Sequence, residues 1–290
     1  MLSERSRALL EHYHLASRAL SQSSGEKLSR ESGQSVEFHD FRPYQPGDEL
    51  RYVDWQVYAR SRRLYTRLYQ AERNSRIYIL VDNSPSMQLS QKSAYARSMA
   101  ELLSYAAKHH SSAQIYLFDG RFSPVMRQRG EVVRLWKFLE EALAQESTKL
   151  PVEAIKDFAL RAPTGGGLVL IISDLFDEVS LRGALLGLRA RAFDASFLHL
   201  ISQNDLNPEA TQLQLEDSEN GEKLLVSPEE VKAYQQAVRQ FIKKSRSAIL
   251  EAGFRHVLLE FAETSADKPN KEAEQSAFAA LVKAGILVKG

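Results

Sequence analysis

Asp82, Ser84 and Ser86 stand at alternate positions just past the apolar run Ile77-Tyr78-Ile79-Leu80-Val81, so one carboxylate and two hydroxyls follow a short β-rich segment. Near-continuous Val, Ile and Leu is the texture of a strand buried on both faces. In open α/β sheets, ligands collect beyond the carboxyl ends of such strands. Hard divalent cations such as Mg²⁺ take oxygen ligands, keep several waters and need only one or two carboxylates, which suits one Asp with two neutral hydroxyls. The same residue types also cap helices, because a Ser or Asp oxygen accepts from the free N–H groups of a first turn. Taken alone, the motif leaves the ion site and the helix cap both open.

A metal needs ligands from more than one loop. Leu170-Ile171-Ile172-Ser173-Asp174 is a second apolar run closing on a carboxylate, and Ser147-Thr148-Lys149-Leu150 offers a loop hydroxyl between two helical patterns. Each feature is ordinary when taken singly. Their order, with D-x-S-x-S first, Thr148 next and Asp174 last, puts oxygen donors where successive strand ends are expected.

The elements that must position these residues alternate from Arg76 onward. Short apolar runs predict strands at Ile77–Val81, Gln114–Phe118, Leu168–Ser173, Ala195–Ile201 and His256–Phe261, with an extra hairpin strand near Phe122–Met126. Helical spacing predicts helices at Ala94–Lys108, Glu131–Gln145, Val152–Arg161, Val179–Ala190, Pro228–Ala252 and Glu272–Ala284. The Pro228 helix carries its own punctuation: Ser227 can cap it, Pro228 suits the first position, Glu229 and Glu230 favour the positive dipole end, and Gly253 follows. Strand and helix in alternation predict a doubly wound, mostly parallel α/β sheet. Upstream the texture changes. Residues 3–20 have helical spacing, and β-like pieces at Val36–Phe41, Leu50–Trp55 and Leu64–Tyr69 are separated by turns, of which Pro46-Gly47 suits a type II turn. The expected division is an N-terminal helix and small β subdomain over 1–73, then the α/β domain over 74–290.

Composition narrows the function classes. Lys and Arg number 38 against 37 Asp and Glu, so net charge points to no partner, and whole-chain balance argues against nucleic acid. There is no cysteine, which excludes disulfides and zinc–thiolate sites. The longest uncharged apolar stretch, Ala162 to Ser173, is shorter than the roughly 20 residues of a membrane helix, and no secretory h-region follows Met1. A cytoplasmic protein without membrane insertion is expected.

The ordered set Asp82-x-Ser84-x-Ser86, Thr148, Asp174 resembles the metal-ion-dependent adhesion site of the von Willebrand factor A fold. The resemblance implies that Ser84 and Ser86 are direct ligands of Mg²⁺ or another divalent cation such as Mn²⁺ or Ca²⁺. It implies that Thr148 is a direct or water-bridged ligand, and that Asp82 and Asp174 act directly or through water. It also implies that a partner carboxylate completes the coordination. The upstream string Glu37-Phe38-His39-Asp40-Phe41-Arg42-Pro43-Tyr44-Gln45-Pro46-Gly47-Asp48-Glu49-Leu50-Arg51-Tyr52-Val53-Asp54-Trp55, followed by Ala59-Arg60, resembles the signature of the domain of unknown function 58 family. Leu215-Glu216-Asp217-Ser218-Glu219-Asn220-Gly221-Glu222 is similar to a recurring stretch of that family, and the likeness covers about residues 25–260. Family members are associated with MoxR-type AAA+ ATPases, so the resemblance implies an adaptor or chaperone-like partner of such an ATPase or its client. Lys149 departs from the pattern, since many relatives carry an acidic residue there.

Other signals have plainer readings. Arg60-Ser61-Arg62-Arg63-Leu64-Tyr65-Thr66-Arg67-Leu68-Tyr69 interleaves cations with aromatics, but strand alternation puts Leu64, Thr66 and Leu68 on one face, the pattern of a half-buried sheet. Arg42, Arg51 and Arg60 among Asp40, Asp48 and Asp54 read as internal ion pairs. His109-His110 reads as a helix end. An Asp82 nucleophile would make a Mg²⁺-dependent phosphohydrolase, but Ser84 stands where that chemistry wants a second carboxylate. The expectation is a binding module, not an enzyme. A metal-independent scaffold is the alternative.

Overall fold

The computed structural model describes residues 4–16, 37–70, 76–107, 112–143, 145–177, 179–208, 214–216, 223–225, 227–262 and 271–289. His109-His110 and most of the Leu215–Glu222 stretch lie outside them. The chain forms two compact units, one of Met1–Gln22 with Ser75–Gly290, the other of Ser23–Asn74.

The first unit is built on a five-stranded sheet of β4 (Arg76–Val81), β5 (Ser112–Leu117), β6 (Gly167–Ser173), β7 (Phe193–Ser202) and β10 (Arg255–Phe261). Their order is β10-β7-β6-β4-β5, and every pairing is parallel. The helices are α3 (Lys92–Ala106), α4 (Val132–Ala142), α5 (Pro151–Arg161), α6 (Arg182–Ala190), α8 (Pro228–Glu251) and α9 (Lys271–Lys283). Alternation along the strands explains the three layers. Ile77, Ile79 and Val81 pack with Met99, Leu103, Leu135 and Leu281 on one face, while Tyr78 and Leu80 pack with Ile155, Phe158, Leu188 and Ile249 on the other. Each such side chain gains about 1.5–3 kcal/mol from leaving water. The fold is therefore a doubly wound α/β sheet, as its sequence pattern predicts.

Chain order reverses at the centre of this sheet. From β4 the chain moves outward to β5, then returns to lay β6 on β4's other edge before continuing to β7 and β10. The crevice between β4 and β6 is thus the topological switch point, where a doubly wound sheet opens room for a ligand. Tight entry to β6 depends on Gly166, at φ +72°. A Cβ there would stand 2.3 Å from the Ala192 carbonyl oxygen.

Three expectations are corrected in this unit. Residues 3–20 do not form one helix: α1 (Glu4–Leu10) ends early, and β1 (Tyr13–Leu15) pairs antiparallel with β11 (Leu287–Lys289). This N-terminal segment therefore groups with the α/β unit and not with the strand-and-turn unit expected over 1–73. The expected strand at Phe122–Met126 is two isolated antiparallel bridges to β5, interrupted where Ser123 Oγ accepts from the Ile115 N–H.

The second unit pairs β2 (Glu37–Pro43) antiparallel with β3 (Tyr65–Gln70). The expected strand Leu50–Trp55 is instead a 3-10 turn, Leu50–Tyr52, leading into α2 (Trp55–Ser61). The reason is Asp54, which is buried and whose Oδ1 accepts from the Gln56 and Val57 N–H groups as an N-cap. Gly47 has φ +108° and the Asp48 N–H donates to the Gln45 carbonyl, as the type II turn requires. Asp48 pairs with Arg42 at 2.5 Å and also accepts from Thr66, so this unit is held by the internal polar contacts its composition suggests.

Candidate metal centre

Asp82 follows the last residue of β4, and its N–H donates to the Ile172 carbonyl of β6 at 3.0 Å. Its side chain is fully buried. Oδ1 accepts from the Ser84 N–H at 2.9 Å and Oδ2 from the Ser173 hydroxyl at 2.5 Å. Burial and the nearby negative charge of Asp174 push its pKa up to about 7, against the opposing hydrogen bonds from Ser173 and Ser84. Two carboxylates have been brought together out of water at the switch point.

Ser84 occupies the N-cap position of the 3-10 segment Pro85–Gln91 but makes no side-chain capping hydrogen bond. Its Oγ lies 3.1 Å from Ser86 Oγ. The hydroxyls therefore face each other instead of the helix end, which weighs against the cap reading.

Asp174 closes β6 and is fully buried. Its Oδ1 accepts from the Phe176 N–H at 3.2 Å, and its Oδ2 accepts from Lys92 Nζ at 3.1 Å. Lys92 is 2 % exposed and reaches Asp205 Oδ2 at 3.1 Å as well. Burial draws its pKa down, but attraction to Asp174 and Asp205 outweighs this and holds it above the ordinary lysine value. Asp205 lies in α7 (Gln203–Leu206), whose Ser202 capping box fixes it. Sequence reasoning missed both residues. The available signal was a lysine in the first turn of α3, at the dipole end where a cation is unfavourable without an anion beside it.

Thr148 is exposed and hydrogen-bonds none of the other four. Its loop is nevertheless pinned beside the motif: the Ser147 N–H donates to the Asn83 carbonyl at 2.8 Å, and Asn83 Nδ2 donates to the Gln145 carbonyl at 2.8 Å. Lys149, the departure from the family pattern, gives its ammonium to Asp157 Oδ2 at 2.9 Å. Asp157 also accepts from Tyr116 Oη at 2.8 Å and from Arg161 at 3.2 Å. The structure thus joins Asp82, Ser84, Ser86 and Asp174 at two strand ends and sets Thr148 in the adjoining loop.

These residues fit a hard divalent cation. A hard, Mg²⁺-type ion asks for one or two carboxylates and several neutral oxygens, which the Asp82, Asp174, Ser84 and Ser86 side chains supply. Charge agrees. The carboxylates of Asp82, Asp174 and Asp205, set against the Lys92 ammonium, leave two negative charges when all are ionised.

A family model described as "Protein of unknown function DUF58" matches residues 40–248. The chain belongs to the DUF58 family. Among curated proteins none matches its sequence. Of solved structures, it is similar to the conserved hypothetical protein BatB from Bacteroides thetaiotaomicron, at 15% identity and a TM-score of 0.43 over 72% of this chain and 98% of that one. It is also similar to the pilus adhesin SpaC from Lactobacillus rhamnosus GG, at 10% identity and a TM-score of 0.37 over 75% of this chain and 32% of that one. Among the described residues of this DUF58 protein, no helix is long and apolar enough to cross a membrane.

Proposed function

We propose that this DUF58 protein is a metal-dependent protein-interaction module. Asp82, Ser84, Ser86 and Asp174 would hold Mg²⁺ or a similar cation, with Thr148 supplying a further oxygen. The carrying observation is the meeting of those four side chains at the switch point, where the carboxyl groups of Asp82, Asp174 and Asp205 outnumber the one Lys92 ammonium. The bound ion would offer an open coordination position to an Asp or Glu of a partner protein. The chain's own residues prepare that role: Ser173 and the Ser84 N–H orient Asp82, and Lys92 and the Phe176 N–H orient Asp174. Membership of DUF58, together with the resemblance to the von Willebrand factor A fold, makes a MoxR-type AAA+ ATPase or its client the partner of choice.

Catalysis by Asp82 is disfavoured. Phosphoryl transfer through an aspartate nucleophile wants a second carboxylate two residues on as acid and base, and Ser84 stands there. A metal-independent scaffold is favoured by one observation, the ammonium already paired with Asp174.

The deciding experiment is titration of the purified protein with Mg²⁺ and Mn²⁺, followed by capture of a purified MoxR-type ATPase with and without chelator. The proposal expects ion binding that Asp82→Ala abolishes and capture that chelator reverses. Capture indifferent to chelator would favour the scaffold instead.

A further inference from the structure

We propose that Lys92 is the built-in counter-cation of this site: by pairing with Asp174 and Asp205 together it sets the net charge there to that of a divalent-ion receptor. The inference rests on the metal reading above and deepens it.

Three observations converge on Lys92. Its ammonium is removed from water, 2 % exposed, and bonds one oxygen of each carboxylate at 3.1 Å, so it serves two anions from two different strand ends. The third is the Phe176 ring, whose centroid lies 5.2 Å from Nζ and covers it. The backbone is bent to make this possible. Ser90 and Gln91, directly before Lys92, have φ of 55° and 58°, and Leu175, directly after Asp174, has φ of 57°. Non-glycine residues take up that left-handed conformation at a cost, and it persists where surrounding structure over-determines it. Here it flanks both partners of one buried ion pair. The ammonium has three N–H donors, and the two carboxylates it meets exceed what its single charge would neutralise. Asp205 makes sense as the group that lets a permanent ammonium touch Asp174 without cancelling the site's attraction for a divalent ion.

The charge logic gives opposite signs for two substitutions. Lys92→Met removes the ammonium and leaves three carboxylates, so Mn²⁺ affinity should rise, roughly tenfold or more. Asp205→Asn leaves the ammonium facing Asp174 alone, so Mn²⁺ affinity should fall by a similar factor. The double variant restores the native charge, and its affinity should return towards that of the unmodified chain. Binding is read by Mn²⁺ paramagnetic resonance and calorimetry, and folding by circular dichroism. Lys92→Met should also lower Tm by roughly 5–15 °C without metal, because one partner of a buried pair is stripped away. Added Mn²⁺ should recover more of that loss than it adds to the unmodified chain. Should Lys92→Met fail to fold, Asp205→Asn keeps the lysine and tests the same sign.

If the unmodified chain binds Mn²⁺ but either single variant leaves affinity unchanged, or the double variant fails to restore it, the counter-cation role is overturned and the metal reading survives. If the unmodified chain binds no Mn²⁺, the metal reading falls. The control of charge by Lys92 then stands only if Lys92→Met creates Mn²⁺ binding, and falls if that variant binds none.

Discussion

Asn83 shows how one side chain between two site residues can organise the surroundings without being a ligand. It is fully buried; Nδ2 donates to Asp119 Oδ2 at 3.0 Å and to the Gln145 carbonyl, while its own carbonyl receives the Ser147 N–H. Two of these three bonds hold the Thr148 loop against β4. Asn83→Ala leaves the Gln145 carbonyl and the Asp119 carboxylate each short of a donor. It also removes Asn83 Oδ1, a buried oxygen with no partner among the described residues, so the loss should sit at the low end of the range for buried hydrogen bonds, about 1–2 kcal/mol. Urea unfolding would register this as a lower midpoint with unchanged slope, and an unmoved midpoint would contradict the role given to Asn83.

At the level of elements, what was legible in the sequence was what repeats locally. The strands β4, β6 and β7 announce themselves because each is buried on both faces, and Asp82 and Asp174 could be placed because they directly follow such runs. Contacts made across the fold left no such trace. Lys92 and Asp174 are 82 positions apart, and nothing in either neighbourhood names the other. Leu50–Trp55 misled because a capping Asp within a mixed apolar stretch resembles a strand in composition. The N-terminal segment misled for the opposite reason: Leu10 and Leu15 are both core residues, at 0% and 1% exposure, but one is helical and the other in a strand pairing with β11. That pairing makes a testable demand. Leu15 belongs to the same apolar cluster as Leu281, Ile286 and Leu287, so Leu15→Ala should destabilise the α/β unit by about 2–5 kcal/mol in chemical denaturation. If β1 were a peripheral attachment, the variant would unfold like the unmodified chain.

Across the whole molecule, stability against pH should report the buried charge at the carboxyl edge of the sheet. Asp82 keeps its proton up to about pH 7 in the folded state but loses it near 3.8 when unfolded. Between those values the native state holds the extra proton, so this group makes stability fall as pH rises. His199 and His256, whose ring nitrogens lie 3.1 Å apart, act in the other direction. Burial first, and then neighbouring positive charge from His256 and Arg246 respectively, lowers their pKa values to about 3 and about 4, so they stay neutral in the fold where the unfolded chain takes up protons below about 6.5. Their contribution is lost on acidification. Between about pH 4 and 6.5 the two histidines outweigh the one aspartate, and metal-free protein should gain stability with rising pH by about 1.4 kcal/mol per unit for each net proton. Above 6.5, of these three groups only Asp82 still titrates, and the gain should turn into a shallow loss. Asp82→Asn should steepen the rise and abolish the loss, because it deletes the group that opposes the two histidines. Saturating Mg²⁺ should act alike in the unmodified chain, since an ion at the strand ends holds Asp82 ionised in the fold. Thermal unfolding across pH 4–8 in chelator and in Mg²⁺ would show both effects. A profile that neither Asp82→Asn nor Mg²⁺ alters would mean that Asp82 is not the group carrying the buried charge.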